Sequence, residues 1–247
     1  MRAFSMEFTD FLPIFNTVMG DNGFSRFQNE EIAAKFHQLT ERMLTVNQYM
    51  NLTAIKEPRA VVLKHYADSL TVDPMIKKGA RIADIGCGAG FPSLPLAISR
   101  PDLEILSLDS TEKRIKYVQE TAQMLDCKNL KAVAARAEMA GRGEFREKFD
   151  VCTARAVAAL PILAELCLPF VRVGGKFLAM KAKRGEEEWE SAASAISKLG
   201  GRLIATHRIT LTDNGEQDER IIFEIEKIKS TPPAYPRAYA KIVKSPL

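Results

Sequence analysis

With 247 residues, a net charge of +4, 46% hydrophobic and 27% charged residues, the chain has the makeup of a folded globular protein and not of a disordered segment. Such a length buries roughly 70% of the unfolded surface, enough for one substantial core with an appended segment. No apolar run approaches the ~20 residues of a membrane span, four scattered cysteines lack a C-x-x-C pair, and three distant histidines form no metal pattern, so a cytoplasmic chain with no membrane segment and no protein-bound metal is expected.

Residues 1–78 are expected to form a helical N-terminal extension. Asn29 reads as an N-cap, Glu30 and Glu31 favour the positive end of a helix, and Ile32, Phe36, Leu39, Met43, Val46 and Met50 recur at three- and four-residue steps. Asn51-Leu52-Thr53-Ala54 interrupts that period, and a shorter helix is expected from Pro58 to Leu70. His65, Asp68 and Ser69 fall on one side of it, either lining a cleft or finishing a hydrogen-bonded helix end.

Arg81-Ile82-Ala83-Asp84-Ile85-Gly86-Cys87-Gly88-Ala89-Gly90-Phe91-Pro92 reads as a buried strand, a glycine turn and the start of a helix, with Pro92 in the first helical turn. A phosphate-gripping P-loop would need a lysine and a Ser or Thr after its glycines, and a dinucleotide fingerprint would place its third glycine at position 91, which is Phe91. The spacing Asp84-x-Gly86-x-Gly88-x-Gly90 instead resembles the first motif of S-adenosylmethionine-dependent methyltransferases. That resemblance implies a cofactor whose methionine portion approaches Gly86, Gly88 and Gly90, with Asp84 contacting its ammonium or holding the turn.

The second strand, Leu103 to Leu108, ends at Asp109, the spacing at which a carboxylate reaches ribose hydroxyls; capping the next helix is its alternative role. A helix over 112–125 and a third strand from Leu130 bring Ala137 and Glu138 to the next corner, where they are expected to contain adenine. Strand four, Phe149 to Thr153, presents Arg155 at the same edge. Gly174-Gly175 is expected to turn into strand five, Lys176 to Met180, followed by Lys181 and Lys183, solvated charges when taken alone and substrate-phosphate contacts in the combined architecture. A helix over 186–199 and a hairpin of Leu203 to Leu211 with Arg220 to Ile228 complete the core.

The expected fold is therefore α/β: a doubly wound, mostly parallel seven-stranded sheet with a terminal antiparallel strand, over residues 79–229. Residues 230–247 hold Lys, Arg and no acid, a basic tail that packs on the core or contacts RNA.

The combined order of motifs resembles the bacterial small-subunit ribosomal RNA guanine-N7 methyltransferase family, historically glucose-inhibited division protein B. The matching pieces are Asn51-Leu52-Thr53, His65-x-x-Asp68-Ser69, the glycine motif, Leu108-Asp109-Ser110-x-x-Lys113-Arg114, Arg136-Ala137-Glu138, Arg155-Ala156, Lys181, Glu219-Arg220 and Tyr235-Pro236-Arg237 through Lys244-Ser245-Pro246-Leu247. Two positions depart from the family pattern: Ala182 follows Lys181 where glycine is usual, and Ala154 stands where many relatives have serine. The resemblance implies methyl transfer from S-adenosylmethionine to N7 of a guanine in the decoding-region loop of 16S ribosomal RNA, free or within a small-subunit particle; a monomer is expected because the sequence shows no long oligomerisation segment. Arg155 is expected nearest the transfer centre, with His65, Asp68, Lys181, Arg220, Arg237, Lys241 and Lys244 on the RNA. Competing possibilities are methylation of another nucleobase or a small basic metabolite, and a non-catalytic RNA-binding module. Cytosine-C5 chemistry would need Cys152 as nucleophile, against its alternative as a buried strand cysteine.

Overall fold

The structure, a computed structural model, describes residues 4–247 except for the side chains of Lys183, Arg184 and Glu186, so Lys183 lies outside the side chains described. Seven strands form one sheet in the order β3-β2-β1-β4-β5-β7-β6: β1 (Arg81–Ile85), β2 (Glu104–Asp109), β3 (Leu130–Ala134), β4 (Phe149–Arg155), β5 (Val171–Ala182), β6 (Gly201–Asp213) and β7 (Glu216–Lys227). The first five run parallel, and β7 inserts antiparallel between β5 and β6. Strand order reverses between β1 and β4, the point at which an open parallel sheet leaves a crevice at its carboxyl edge.

Alternation along the strands divides the core into two faces. Ile82, Ile105, Val151, Leu178 and Ile222 join one cluster, and their neighbours Ala83, Leu106, Cys152, Ala179 and Ile221 join the other. The first cluster also holds Phe11, Phe15, Phe36, Leu39, Met43 and Tyr66, so the N-terminal helices share a core with the sheet. They are α1 (Phe8–Asp21), α2 (Glu30–Met50) and α3 (58–70). As expected, Asn29 caps α2 by accepting from Ile32 N at 2.9 Å, and the helix ends at Asn51 in the left-handed region, φ 51°. Glu57 caps α3 by accepting from Arg59 N at 2.9 Å and Ala60 N at 2.6 Å, and Pro58 opens it.

The interior of α3 departs from the expected regular helix: Val62–Ala67 is wound as a π segment. A π turn carries one extra residue, which re-aims side chains and is frequent at functional sites. Here it carries Lys64 and His65.

The remaining helices are α4 (Ser93–Ser99), α5 (Glu112–Met124), α6 (Ala137–Ala140), α7 (Leu160–Cys167), α8 (Trp189–Lys198) and α9 (Tyr239–Lys244). Three expectations are corrected. Pro92 is the cap residue before α4, not part of its first turn. Gly174 and Gly175 lie within β5, where the pairing with β4 shifts register between Phe149 and Val151, so they make a bulge and not a preceding turn. The hairpin is longer than its apolar residues suggest, because the polar tips Thr212↔Gln217 and Asp213↔Glu216 also pair. Among the described residues no helix is long and apolar enough to cross a membrane.

Candidate functional site

A cavity of about 1000 Å³ opens at the carboxyl edge of the parallel strands. Its floor is the turn after β1. Gly86 N and Cys87 N donate to Leu108 O at 2.7 and 3.1 Å, tying that turn to β2. Gly88, at φ +58°, faces the opening: a Cβ there would meet nothing within 4 Å and would project into the space a ligand needs. Gly90 has a different task, since a Cβ there would come 2.5 Å from Leu94 Cδ1; it allows the turn to pack on α4 and does not line the cavity.

Asp84 is likewise absent from the cavity wall. It is fully buried beneath the turn, where Oδ2 accepts from Ser93 N at 3.1 Å and Oδ1 from Thr153 Oγ1 at 3.4 Å. Burial pushes its carboxyl up to about 6, against the pull of Ser93, Arg155 and Thr153. Of its two expected roles, the contacts of Asp84 are those of a turn brace.

Asp109, at the end of β2, lines the cavity and accepts from Gly88 N at 3.1 Å and Thr111 N at 2.8 Å. Of its two expected roles the contacts match the cavity position and not the cap: the bond to Thr111 N closes a local turn, and the following helix starts from Thr111 without a side-chain cap. Each oxygen uses one of its acceptor sites on backbone and keeps another for a hydroxyl. Ala137 and Glu138 form the neighbouring wall, with Glu138 Oε1 held by Arg136 Nε at 2.6 Å. A floor left open at Gly88, flanked by two oriented carboxylates, suits an adenosine-bearing sulfonium: backbone admits it and acceptors meet its hydroxyl and amine donors.

The opposite wall is cationic and already paired. Arg155 Nη1 donates to Asp68 Oδ2 at 2.8 Å and to Lys64 O at 3.0 Å, and the guanidinium lies over the Phe91 ring, 5.2 Å from its centroid. Arg220 Nε donates to the other oxygen of Asp68 at 2.7 Å, and its Nη groups bind Asp218 at 2.5 and 2.8 Å. Asp68 therefore bridges two arginines brought from different strands. His65 stacks on Phe91 with centroids 4.6 Å apart, bonds Thr53 Oγ1 through Nε2 at 2.8 Å, and has Nδ1 3.4 Å from Arg155. Burial, then the Arg155 charge, push this imidazole down to about 3, so it is neutral at physiological pH. Lys181 also lines the cavity, but its ammonium donates to Ala158 O at 2.6 Å and Glu188 Oε2 at 2.7 Å.

The remaining expected RNA contacts lie elsewhere. Arg237 is clamped by fully buried Glu165, donating from its backbone N at 2.7 Å and from Nη2 at 2.6 Å, which makes it an anchor for the tail. Lys241 and Lys244 are exposed on α9, outside the cavity. Cys152 is fully buried in β4 and off the cavity wall, its thiol pushed well up by burial, an environment unlike that of a nucleophile. Conversely, Lys64, Phe91, Arg114, Arg136, Asp218 and Tyr239 join the wall without having been singled out as site residues. Arg114 and Arg136 sit inside recognisable motifs, whereas nothing in the sequence around Tyr239 says that the tail returns to this edge.

Solved structures share the fold. M. jannaschii TYW2 in complex with AdoMet aligns with a TM-score of 0.51 at 16% identity, covering 62% of this chain and 71% of that one. The cyclase SpnF aligns equally well, TM-score 0.51 at 14% identity over 66% and 82% of the two chains, so the fold alone does not fix the activity. Sequence likeness does more. Proteins named "Ribosomal RNA small subunit methyltransferase G" are 42% identical over 218 residues in Lactobacillus delbrueckii subsp. bulgaricus (86% of this chain, 90% of the relative) and 42% over 234 residues in Acetivibrio thermocellus (93% and 95%). The family model described as "rRNA small subunit methyltransferase G" matches residues 32–215, a span that holds the glycine turn, Asp109, Glu138 and the Arg155–Asp68 pair. This chain belongs to the GidB family, S-adenosylmethionine-dependent methyltransferases that act on guanine N7 of 16S ribosomal RNA.

Proposed function

We propose that this chain performs the family reaction in the cavity described, on a guanine of the decoding-region loop, as a cytoplasmic monomer. Asp109 and Glu138 hold the ribose and adenine of the cofactor, and Gly86 and Gly88 let the turn lie against its amino-acid portion. Gly90 and Asp84 act through that turn. When bound, S-adenosylmethionine supplies an electrophilic methyl group on a positively charged sulfur.

Guanine N7 carries an accessible lone pair and is an acceptor before methylation, so the chain has no proton to remove from it. Its residues have to orient the base and exclude water, and an effective concentration gain is the main source of rate. Arg155 is the side chain proposed to orient the base, because Asp68, Lys64 O and Phe91 fix its guanidinium before substrate arrives. Phe91 and His65 give that end of the cavity a flat apolar edge. Arg220 and Lys181 contribute positive potential from paired positions, and Lys241 and Lys244 extend it outside as sequence-independent phosphate contacts.

The observation that carries this reading is one cavity with carboxylates on one wall, fixed arginines on the other, and an imidazole held neutral between Phe91 and Arg155. The test is incubation with methyl-labelled cofactor and small ribosomal subunits, beside free 16S RNA and small basic metabolites, followed by base-resolved analysis. Label in 7-methylguanine at one site is expected, lost in Asp109→Ala. Label in another base or in a metabolite, or none with cofactor bound, rejects the proposal.

A further inference from the structure

We infer that the C-terminal tail is a built part of the cofactor site, and that Tyr239 of α9 closes the adenine end of the cavity with its ring. The inference rests on the cofactor orientation proposed above. The basic tail, expected either to pack on the core or to contact RNA, is held to the core along residues 231–237. Arg146 donates to Thr231 O at 2.6 Å and Tyr235 O at 2.9 Å, and Arg142 to Pro236 O at 2.6 Å and Ala234 O at 2.8 Å. Thr231 Oγ1 accepts from the fully buried Lys227 ammonium at 2.8 Å, and the buried Glu165 grips Arg237. Beyond these clamps Ile242 is fully buried in the core, where α9 packs on α7.

Such anchoring sets one residue, 40% exposed, at the rim of the cavity. Tyr239 lines the cavity beside Ala137 and Glu138, and the Arg136 guanidinium lies over its ring, 4.9 Å from the centroid. The same guanidinium bonds Glu138 Oε1 at 2.6 Å. Ring, guanidinium and carboxylate thus form one unit at the end of the cavity assigned to adenine. An aromatic ring gives a purine a stacking face, and the cation fixes the angle at which that face is offered. Arg146 Nη1 also donates to Gly141 O at 3.2 Å, at the C-cap of α6, so the side chain that holds the tail also ties the helix carrying Ala137 and Glu138. In consequence, cofactor binding and order in 238–245 are linked, each favouring the other.

Calorimetric titration with S-adenosylhomocysteine tests this. Tyr239→Ala is expected to weaken binding about tenfold, the scale of a lost base–aromatic stack, and Tyr239→Phe to restore it, since the ring and not the hydroxyl is invoked. Unchanged affinity in a folded Tyr239→Ala overturns the inference. Should that variant not fold, hydrogen exchange on the unaltered protein decides: saturating S-adenosylhomocysteine slows exchange at 238–245 if the tail is part of the site, and leaves it unchanged if the tail is only an RNA arm. An unaltered protein that binds no S-adenosylhomocysteine would reject the cofactor assignment itself, whereas binding with an indifferent tail would reject this inference alone.

Discussion

Replacing Asp68 tests whether one carboxylate organises the substrate side of the cavity. Its two oxygens each accept a charge-assisted hydrogen bond, from Arg155 at 2.8 Å and from Arg220 at 2.7 Å, and the residue is 6% exposed. Each such bond contributes about 1.5–3 kcal/mol net. Arg220 retains Asp218, and Arg155 retains Lys64 O, so water and neighbours recover part of the loss. Asp68→Ala should therefore cost about 3 kcal/mol, the lower end of the range for removing one partner of a buried pair. At this chain length that lowers Tm by roughly 6–12 °C. Asp68→Asn, which keeps one acceptor, should recover about half. Single-turnover methyl transfer to small subunits, measured with both ligands saturating, should fall by about 10²-fold in Asp68→Ala as Arg155 loses its fixed position. Urea unfolding supplies the stability and rapid quench the rate. A loss under about 1 kcal/mol together with an unchanged bound-state rate would refute both the bridging role of Asp68 and the positioning of Arg155.

Three further outcomes follow from the buried and exposed charges. Asp84 titrates at about 6 in the fold against 3.8 unfolded; this raised acid holds its extra proton between those values, so it stabilises below 3.8 and that contribution, roughly 3 kcal/mol, is lost as pH rises through about 6. Asp84→Asn should remove that pH dependence from urea midpoints while leaving cofactor affinity within a few fold, and a loss as large as that in Asp109→Ala would make Asp84 a direct ligand. Lys227 releases its proton at about 8 against 10.5 unfolded, chiefly through burial, so the unfolded chain binds more protons between those values and stability rises with pH across them. The difference in unfolding free energy between the native chain and Lys227→Met should change by roughly 3 kcal/mol from pH 7 to 11; a constant difference would count against the buried ammonium. Removing Lys241 and Lys244 together should flatten the salt dependence of RNA affinity by about two units of slope without altering the bound-state rate, and an unchanged slope would take both off the RNA.

How far the site was legible depended on the range of the signal. The glycine turn and Asp109 belong to one strand–helix–strand unit, whose spacing is set by the lengths of its elements, so local pattern disclosed the fold class and the wall proposed to hold the cofactor. Arg155 and Arg220 were legible only as cations at a shared edge. That Asp68 bridges them depends on α3 crossing over the sheet and on its π segment, and period-3.6 reasoning places His65 and Asp68 on one helical side without showing what they meet. The tail was legible only as an alternative between packing on the core and contacting RNA. Composition reports charge but not destination, and Arg237, an apparent phosphate contact, is bound by Glu165, 72 positions earlier. Tyr239 had no periodicity to mark it because α9 is a helix of only six residues.

The protonation states around the substrate wall make a last, sharper demand. A base acting on an exocyclic amine would need a group that titrates near neutrality and reaches the substrate. His65 occupies the right wall, but burial and Arg155 hold it to about 3, and Cys87, in the cavity floor, is pushed well up by burial beside Asp84 and Asp109. Asp84, at about 6, is turned into the core with both oxygens engaged. A nucleophile that is already unprotonated requires none of them. The bound-state transfer rate should therefore be flat from about pH 6.5 to 8.5, where an unperturbed imidazole would give a limb near 6.5. His65→Gln should lower the rate by disturbing the Phe91 stack while keeping the profile flat. A limb near 6.5 that disappears in His65→Gln would mean that a proton moves through this imidazole, and alignment alone would no longer account for the chemistry.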